Sequence, residues 1–449
     1  MTPGTMLLPS ADFFIPFLPW GRRSPTPLGR GWAATVLSRA VAGRVRGHLH
    51  QNDLNQLLIL KVNALRWDSS LEHFLRRLRP GGLLLGCPLT NGAESTREFI
   101  IKLARVTPAV PFLASEEEGG TLDPLRAFLP PLPAPRSAAE KGPAAVSRLG
   151  ELIGAALQLL GFNTDLAPVL DLASPSPGRT LPKPNLTVVT GGGLPQTAAT
   201  TQPRTPEPKT CSPQGALDQE TPGKASERRA FSPDPQQVAK CGAAFLCGLE
   251  RHNVLACGKH FPGLASKQSS SATEPPVVSK SMAQLWREDL VPYRSLLLRL
   301  PLVLVSTAAY KAYDFDFLQS AGLSANVVEG LLRVKLGYNG VAIACGLETE
   351  AVRGTLDLGE AAVQALRAGC DMLLLEKAEA AERVHGALSA ARESGKLPSR
   401  RVEQALKRIQ LAKRGLKPPR GSLPQRSLDR VVREFTDFSN GFTECGRKP

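Results

Sequence analysis

Short apolar runs of four to six residues recur along the chain, each bounded by glycine, proline or a polar residue. Those predicted to be strands are Leu57–Val62, Gly82–Leu85, Val110–Ala114, Leu166–Leu170, Val254–Gly258, Leu302–Ser306, Val341–Cys345 and Met372–Leu375. Apart from Lys61 and the terminal Ser306 they are apolar rather than alternating, as expected of parallel strands buried on both faces. Between them lie SSLEHFLRRL, STREFIIKLARV, AAVSRLGELIGAALQLLG, DPQQVAKCGAAFLCGLERHN, ANVVEGLLRVKLG and GEAAVQALRAG, where apolar residues return every three or four positions, the period of amphipathic helices. Eight strands alternating with helices predict an α/β chain of the (β/α)8 TIM-barrel class; a doubly wound open sheet is the competing arrangement.

Two kinds of segment break this rhythm. From Ser174 to Glu227 the chain is rich in Pro, Thr, Ser and Gly with no apolar period, and reads as a disordered or irregular insertion after the fourth strand. The ends are weakly patterned. One domain is therefore expected over 51–415, with an N-terminal extension at 1–50 and a basic tail at 416–449.

A hydrophobic content of 42% with only 5% aromatics predicts a sizeable core built from Leu, Val and Ala. The formal charge of +15 looks like a nucleic-acid footprint until its distribution is considered. From Ala391 onward there are 15 Lys/Arg against 6 Asp/Glu, so about +9 of it lies in the last helix and tail. No nucleic-acid motif accompanies it, and a solvated basic tail, with no nucleic-acid partner, is the expectation. The eight cysteines include no C-x-x-C pair, so neither a zinc site nor a redox motif is indicated, and no metal or cofactor is expected. Several lie in apolar runs, which suits a reducing compartment. The opening MTPGTMLLPSADFFIPFLPWGRR lacks a basic region before its apolar stretch, and no run of 18 apolar residues occurs. No membrane span and a cytoplasmic location are expected.

In a barrel the reactive residues sit where strands end and βα loops begin. The segments there are SEEEGG (Ser115–Gly120), GFNTDLAPVLDLA, RAFSPDP (Arg229–Pro235), GKHFPG (Gly258–Gly263), EDLVPYR (Glu288–Arg294) and LSANVVEGLLRVKLGYNGVAIACGLETEAV. In this order and spacing, over roughly residues 55–380, they resemble the N-terminal catalytic domain of glycoside hydrolase family 3. The nearest branch is the single-domain bacterial β-N-acetylglucosaminidases. The resemblance implies an N-acetylglucosamine-containing saccharide as ligand. By the same resemblance Lys259 and His260 bind the sugar, Glu116 stands where a carboxylate accepts from sugar hydroxyls, and Arg229 also faces the sugar. The competing reading makes Lys259 the partner of a neighbouring carboxylate and His260 a strand cap. Glu117 and Glu118 are expected to be solvated, and Asp171 structural.

The departures concern catalysis. Retaining glycosidases use a carboxylate nucleophile about 5 Å from a general acid/base. At the position matching the family's nucleophilic aspartate this chain has Cys345, a nucleophile only if its pKa is lowered. The positions matching the family's aspartate–histidine acid/base pair are Ser270 and Ala272, and Thr307 replaces a further histidine. Neither a hydroxyl nor a methyl group shuttles protons near neutral pH. A catalytically degenerate family member is the expectation. The alternative is an active β-N-acetylglucosaminidase with displaced carboxylates, for which Glu348 and Glu274 are the candidates.

Overall fold

The computed structural model describes residues 51–63, 67–86, 92–107, 109–174, 228–264, 267–268, 274–353 and 356–443. The N-terminal extension, and the expected insertion from residue 175 onward, lie outside the described residues.

Eight parallel strands close into a barrel in sequence order. They are β1 (Leu58–Val62), β2 (Gly82–Leu85), β3 (Phe112–Ser115), β4 (Thr164–Asp165), β5 (Leu255–Phe261), β6 (Leu302–Val305), β7 (Val341–Ala344) and β8 (Met372–Leu375). Closure is made by β1 pairing with β8, Leu58 opposite Leu373. The open-sheet alternative is thereby excluded. Outside the barrel run α1 (Ser69–Leu78), α2 (Ala93–Ala104), α3 (Pro143–Leu160), α4 (Pro235–Glu250), α5 (Leu358–Ala368), α6 (Ala381–Glu393), α7 (Ser399–Ala412) and α8 (Gln425–Thr443). Shorter helical pieces, Met282–Arg287, Leu290–Leu296 and Asn326–Lys335, complete the ring between β5 and β7.

The expected strands are displaced in two instructive places. The fourth, placed at Leu166–Leu170, has its ladder to β3 at Thr164 and Asp165. Pro168 has no N–H to give a ladder; after a last bond from the Leu166 N–H to the Ser115 carbonyl of β3, the stretch bonds towards β5, through Ala167 and Pro168 carbonyls accepting from Cys257 and Lys259. The fifth runs three residues further than expected and carries Lys259 and His260 within the strand itself. The basic tail, weakly patterned in sequence, holds α8, whose Val431 and Phe435 are buried in the core. Among the described residues no helix is long and apolar enough to cross a membrane.

Two devices hold the ring together. Helices α3 and α4 meet backbone to backbone: a Cβ on Gly150 would lie 2.5 Å from the Phe245 carbonyl oxygen, and one on Gly248 would lie 2.4 Å from the Glu151 nitrogen. Backbone cannot swing aside as a side chain can. Gly248→Ala is therefore expected to cost about 1–3 kcal/mol, read as a lower urea midpoint; an unchanged midpoint would show that the helices can slide apart freely. At the barrel's bottom Asp371, buried just ahead of β8, bonds Arg333 (2.5 Å), Arg401 (2.8 Å) and Arg408 (3.0 Å) and accepts from the Ala342 N–H at 3.0 Å. Arg333 also donates to the carbonyls of Tyr338, Gly340 and Gly369. The arginine of the LR-x-x-LGY-x-G segment is thus a structural clamp, at the end of the barrel opposite the strand-end loops.

Candidate functional site

At the carboxyl ends of the strands the densest cluster of charge is built by β3, β5 and the turn before α4. Lys259 projects from β5 with its side chain fully buried, its Nζ 2.6 Å from Glu118 and 3.4 Å from Glu116. Arg229 donates through Nε and Nη2 to both oxygens of Glu118, each at 2.8 Å. This is a fork-to-fork pair that fixes the guanidinium plane. Burial alone would raise the Glu118 carboxyl, but Lys259 and Arg229 outweigh it and hold its pKa at about 2. Burial likewise works to lower the pKa of Lys259; the charges of Glu118 and then Glu116 more than offset it, and the ammonium is kept. Glu116, less buried than Glu118, presents its carboxylate to the opening with 30% of its side chain exposed.

Two expectations change here. Glu118 was expected in solvent and is instead the hub of the cluster, with 1% of its surface exposed. Glu117 is fully buried, facing away. It accepts from the Gly119 and Leu125 N–H groups, and burial, then Asp123 and Asp165, push its carboxyl well up. The reason is backbone geometry: in an extended chain residues two apart share a side, so Glu116 and Glu118 turn together toward Lys259 and Glu117 turns away. That alternation is present in SEEEGG, although three consecutive glutamates equally suit a hydrated loop.

His260 is not a strand cap. Its Nδ1 lies 2.6 Å from Asp171, which also accepts from the backbone N–H groups of His260 (3.1 Å) and Leu264 (2.8 Å). Burial works to raise the Asp171 carboxyl, but His260 and these donors prevail and its pKa is lowered. Asp171 thus orients the imidazole from behind. The loop after β5 is anchored by Gly263, at φ +132, where a Cβ would meet Asp289 Cβ at 2.6 Å. Only glycine fits both the dihedral and the gap.

Across the opening Cys345 follows β7, half-buried, its thiol 3.3 Å from the Val305 carbonyl oxygen to which it donates. Burial first, then the charges of Glu116 and Glu376, push the thiol up to about 12 against the pull of Lys259. Thr307 packs against Gly346, where a Cβ would meet Thr307 Cγ2 at 2.4 Å. Glu348 turns to the backbone after β8, accepting from the N–H groups of Glu376 and Lys377, and burial raises its pKa. Glu274 is exposed and lines a groove with residues 317–320 and Leu323. Ser270 and Ala272 lie outside the described residues. One pair escaped the sequence reading: Lys61 of β1 and Glu376 after β8 meet at 2.6 Å. Nothing in a lone lysine and a lone glutamate 315 positions apart signals that contact.

The architecture has counterparts. The model of the glycosyl hydrolase family 3 N terminal domain matches residues 216–412. A β-hexosaminidase of Tolumonas auensis is 36% identical over 160 residues, which is 35% of this chain and 47% of that protein. The chain thus spans about half the length of that relative. A β-hexosaminidase of Pseudomonas aeruginosa is 26% identical over 71% of this chain and 81% of its own. Among solved structures, a glycoside hydrolase family 3 β-N-acetylglucosaminidase from Paenibacillus superposes with a TM-score of 0.68 at 22% identity, covering 88% of this chain and 69% of that one. At that identity the likeness speaks for the fold alone.

Proposed function

We propose that the chain is a glycoside hydrolase family 3 barrel, β-hexosaminidase-like, that binds N-acetylglucosamine-containing saccharides without hydrolysing them. Hydrolysis is the activity of its relatives; what this chain keeps is the binding half. Lys259, Arg229 and His260 supply donors at the barrel mouth, Glu116 supplies an acceptor, and Glu118 and Asp171 hold them in place from behind. Hydroxyl-rich ligands are recognised by such fixed, convergent polar groups.

One observation carries the loss of hydrolysis. The thiol of Cys345, at the position matching the nucleophile, has its pKa pushed up to about 12. Burial in the barrel therefore keeps this thiol neutral near pH 7. A neutral thiol already donating to the Val305 carbonyl neither attacks an anomeric carbon nor steadies a developing oxocarbenium charge. The displaced-carboxylate alternative draws little support, because Glu348 spends its oxygens on the backbone of Glu376 and Lys377.

The test has two arms. Incubated with p-nitrophenyl N-acetyl-β-glucosaminide, the purified protein should release no nitrophenol above the blank. Turnover that disappears in Cys345→Ala or Glu348→Gln would overturn the non-hydrolytic reading. In calorimetry N-acetylglucosamine or a muropeptide should bind, and Lys259→Ala, its folding checked by circular dichroism, should weaken binding by about tenfold or more. No heat from either ligand would remove the binding role as well.

A further inference from the structure

The outer flank of the barrel between β5 and β7 carries a surface that saccharide binding at the mouth does not use. Three helical pieces build it: Met282–Arg287, Leu290–Leu296 and Asn326–Lys335. Trp286, half-buried in the first, joins all three. The Arg294 guanidinium carbon lies 4.4 Å from the centre of its ring, and the Lys335 Nζ lies 4.7 Å from the same centre. Two cations from two different helices thus stand within about 10 Å of each other, the Debye length at about 0.1 M salt. So placed, they repel.

The carboxylates of this flank do not answer them. Glu288 and Asp289 are paired with Lys280, and Glu250 with Arg299. Glu329, on the helix that ends in Lys335, turns toward Gly369, where a Cβ would lie 3.1 Å from its Oε2. Arg287 donates through Nε to the Ala283 carbonyl and is otherwise exposed. Among the described residues no ion pair includes Arg287, Arg294 or Lys335. Large apolar side chains stand around these cations. Met282, 54% exposed, lies one helical turn from Trp286 and on the same face. Val334, 74% exposed, precedes Lys335, and Leu298, 79% exposed, follows Arg294 by four residues. Side chains standing three-quarters in water project from a surface; they do not wall a groove. Apolar groups gathered in this way mark a contact surface.

We infer that this flank is a docking surface for an anionic lipid membrane. Met282, Leu298 and Val334 enter the acyl boundary, and Arg287, Arg294 and Lys335 meet the headgroup phosphates. An indole beside long cationic side chains suits the headgroup layer, where apolar body and polar tip each find their medium. Projecting aliphatic side chains need an apolar phase that closes around them, which acyl chains supply without preformed pockets. The counter-charge missing from the flank is the one that anionic headgroups bring. The formal charge of +15 on the whole chain draws it toward such a surface from a distance.

Co-sedimentation of the full chain tests this, with vesicles of phosphatidylcholine alone and of equal parts phosphatidylcholine and phosphatidylglycerol. Partition onto the mixed vesicles should be about tenfold or more the stronger, and should fall as salt is raised. The basic tail is itself drawn to anionic lipid, so two double substitutions at exposed positions assign the contact to the flank. Arg294→Gln with Lys335→Gln should lower partition onto mixed vesicles by about tenfold or more. Leu298→Ser with Val334→Ser, at unchanged charge, should lower it by about tenfold or more as well. Circular dichroism checks that both variants are folded. Partition that either pair leaves unchanged would overturn the flank as the docking surface, as would equal partition onto the two kinds of vesicle. Binding to polyglutamate that the charge pair abolishes, with no binding to vesicles, would give the flank to an acidic protein segment and overturn the membrane. Each of these failures would leave the saccharide proposal standing.

Discussion

Replacing Asp371 by Asn is expected to destabilise the protein by about 3–5 kcal/mol, the range for breaking a buried ion pair from one side. The substitution keeps shape and volume, so the loss is electrostatic. Arg333, Arg401 and Arg408 all face this one carboxylate, none more than about a fifth exposed. With the charge gone, three guanidinium groups remain at the foot of the barrel. Arg333 keeps its bonds to the carbonyls of Tyr338, Gly340 and Gly369, which limits the penalty. Urea unfolding measures it. Saccharide affinity under conditions where the variant is folded should not change, because Asp371 precedes β8 and the groups proposed to face the ligand follow the strands. A stability change below about 1 kcal/mol would mean that the three arginines find water or carbonyl partners elsewhere.

The second large effect is tied to pH. Glu118 has an ordinary value of 4.5 and is held at about 2 in the folded chain. A depressed carboxyl contributes stability above its unfolded pKa and loses it as pH falls through its folded one. The shift corresponds to about 3 kcal/mol at pH 7. Glu118→Gln should therefore be less stable by about that amount at neutral pH, with the gap to the unsubstituted protein closing between about pH 4.5 and pH 2. The comparison must be between the two proteins. Glu117 and Asp165, both fully buried, have raised carboxyls whose contribution changes in the opposite sense, strengthening the fold as pH falls. A difference that stays constant down to pH 2 would refute the charge-locked cluster of Lys259, Arg229 and Glu118. The same substitution should weaken saccharide binding, since it frees Arg229 and Lys259 to move.

Much of the barrel was legible in the chain. Gly82–Leu85 and Met372–Leu375 are strands at the positions their composition predicts. The reason is physical: a parallel strand covered on both faces must be apolar without interruption, and its helix must be amphipathic, so the two patterns announce each other. The strand ends were harder. Lys259 and His260 fall inside β5, although a lysine in a buried strand defies the pattern that defines strands. Only the carboxylates of Glu118, Glu116 and Asp171, brought from β3 and β4, make those positions tolerable.

The amino-acid order by itself determined the alternation of apolar runs and amphipathic helices that closes into a barrel, because each is a local property of composition or spacing. Folding decided the rest. That Glu118 is a hub rather than a solvated charge, that Lys61 meets Glu376, that Glu348 serves the backbone, and that the Cys345 thiol is driven up rather than down all depend on which distant strands become neighbours. Charge and burial are properties of a neighbourhood, and in a closed barrel that neighbourhood exists only once β8 has returned to β1.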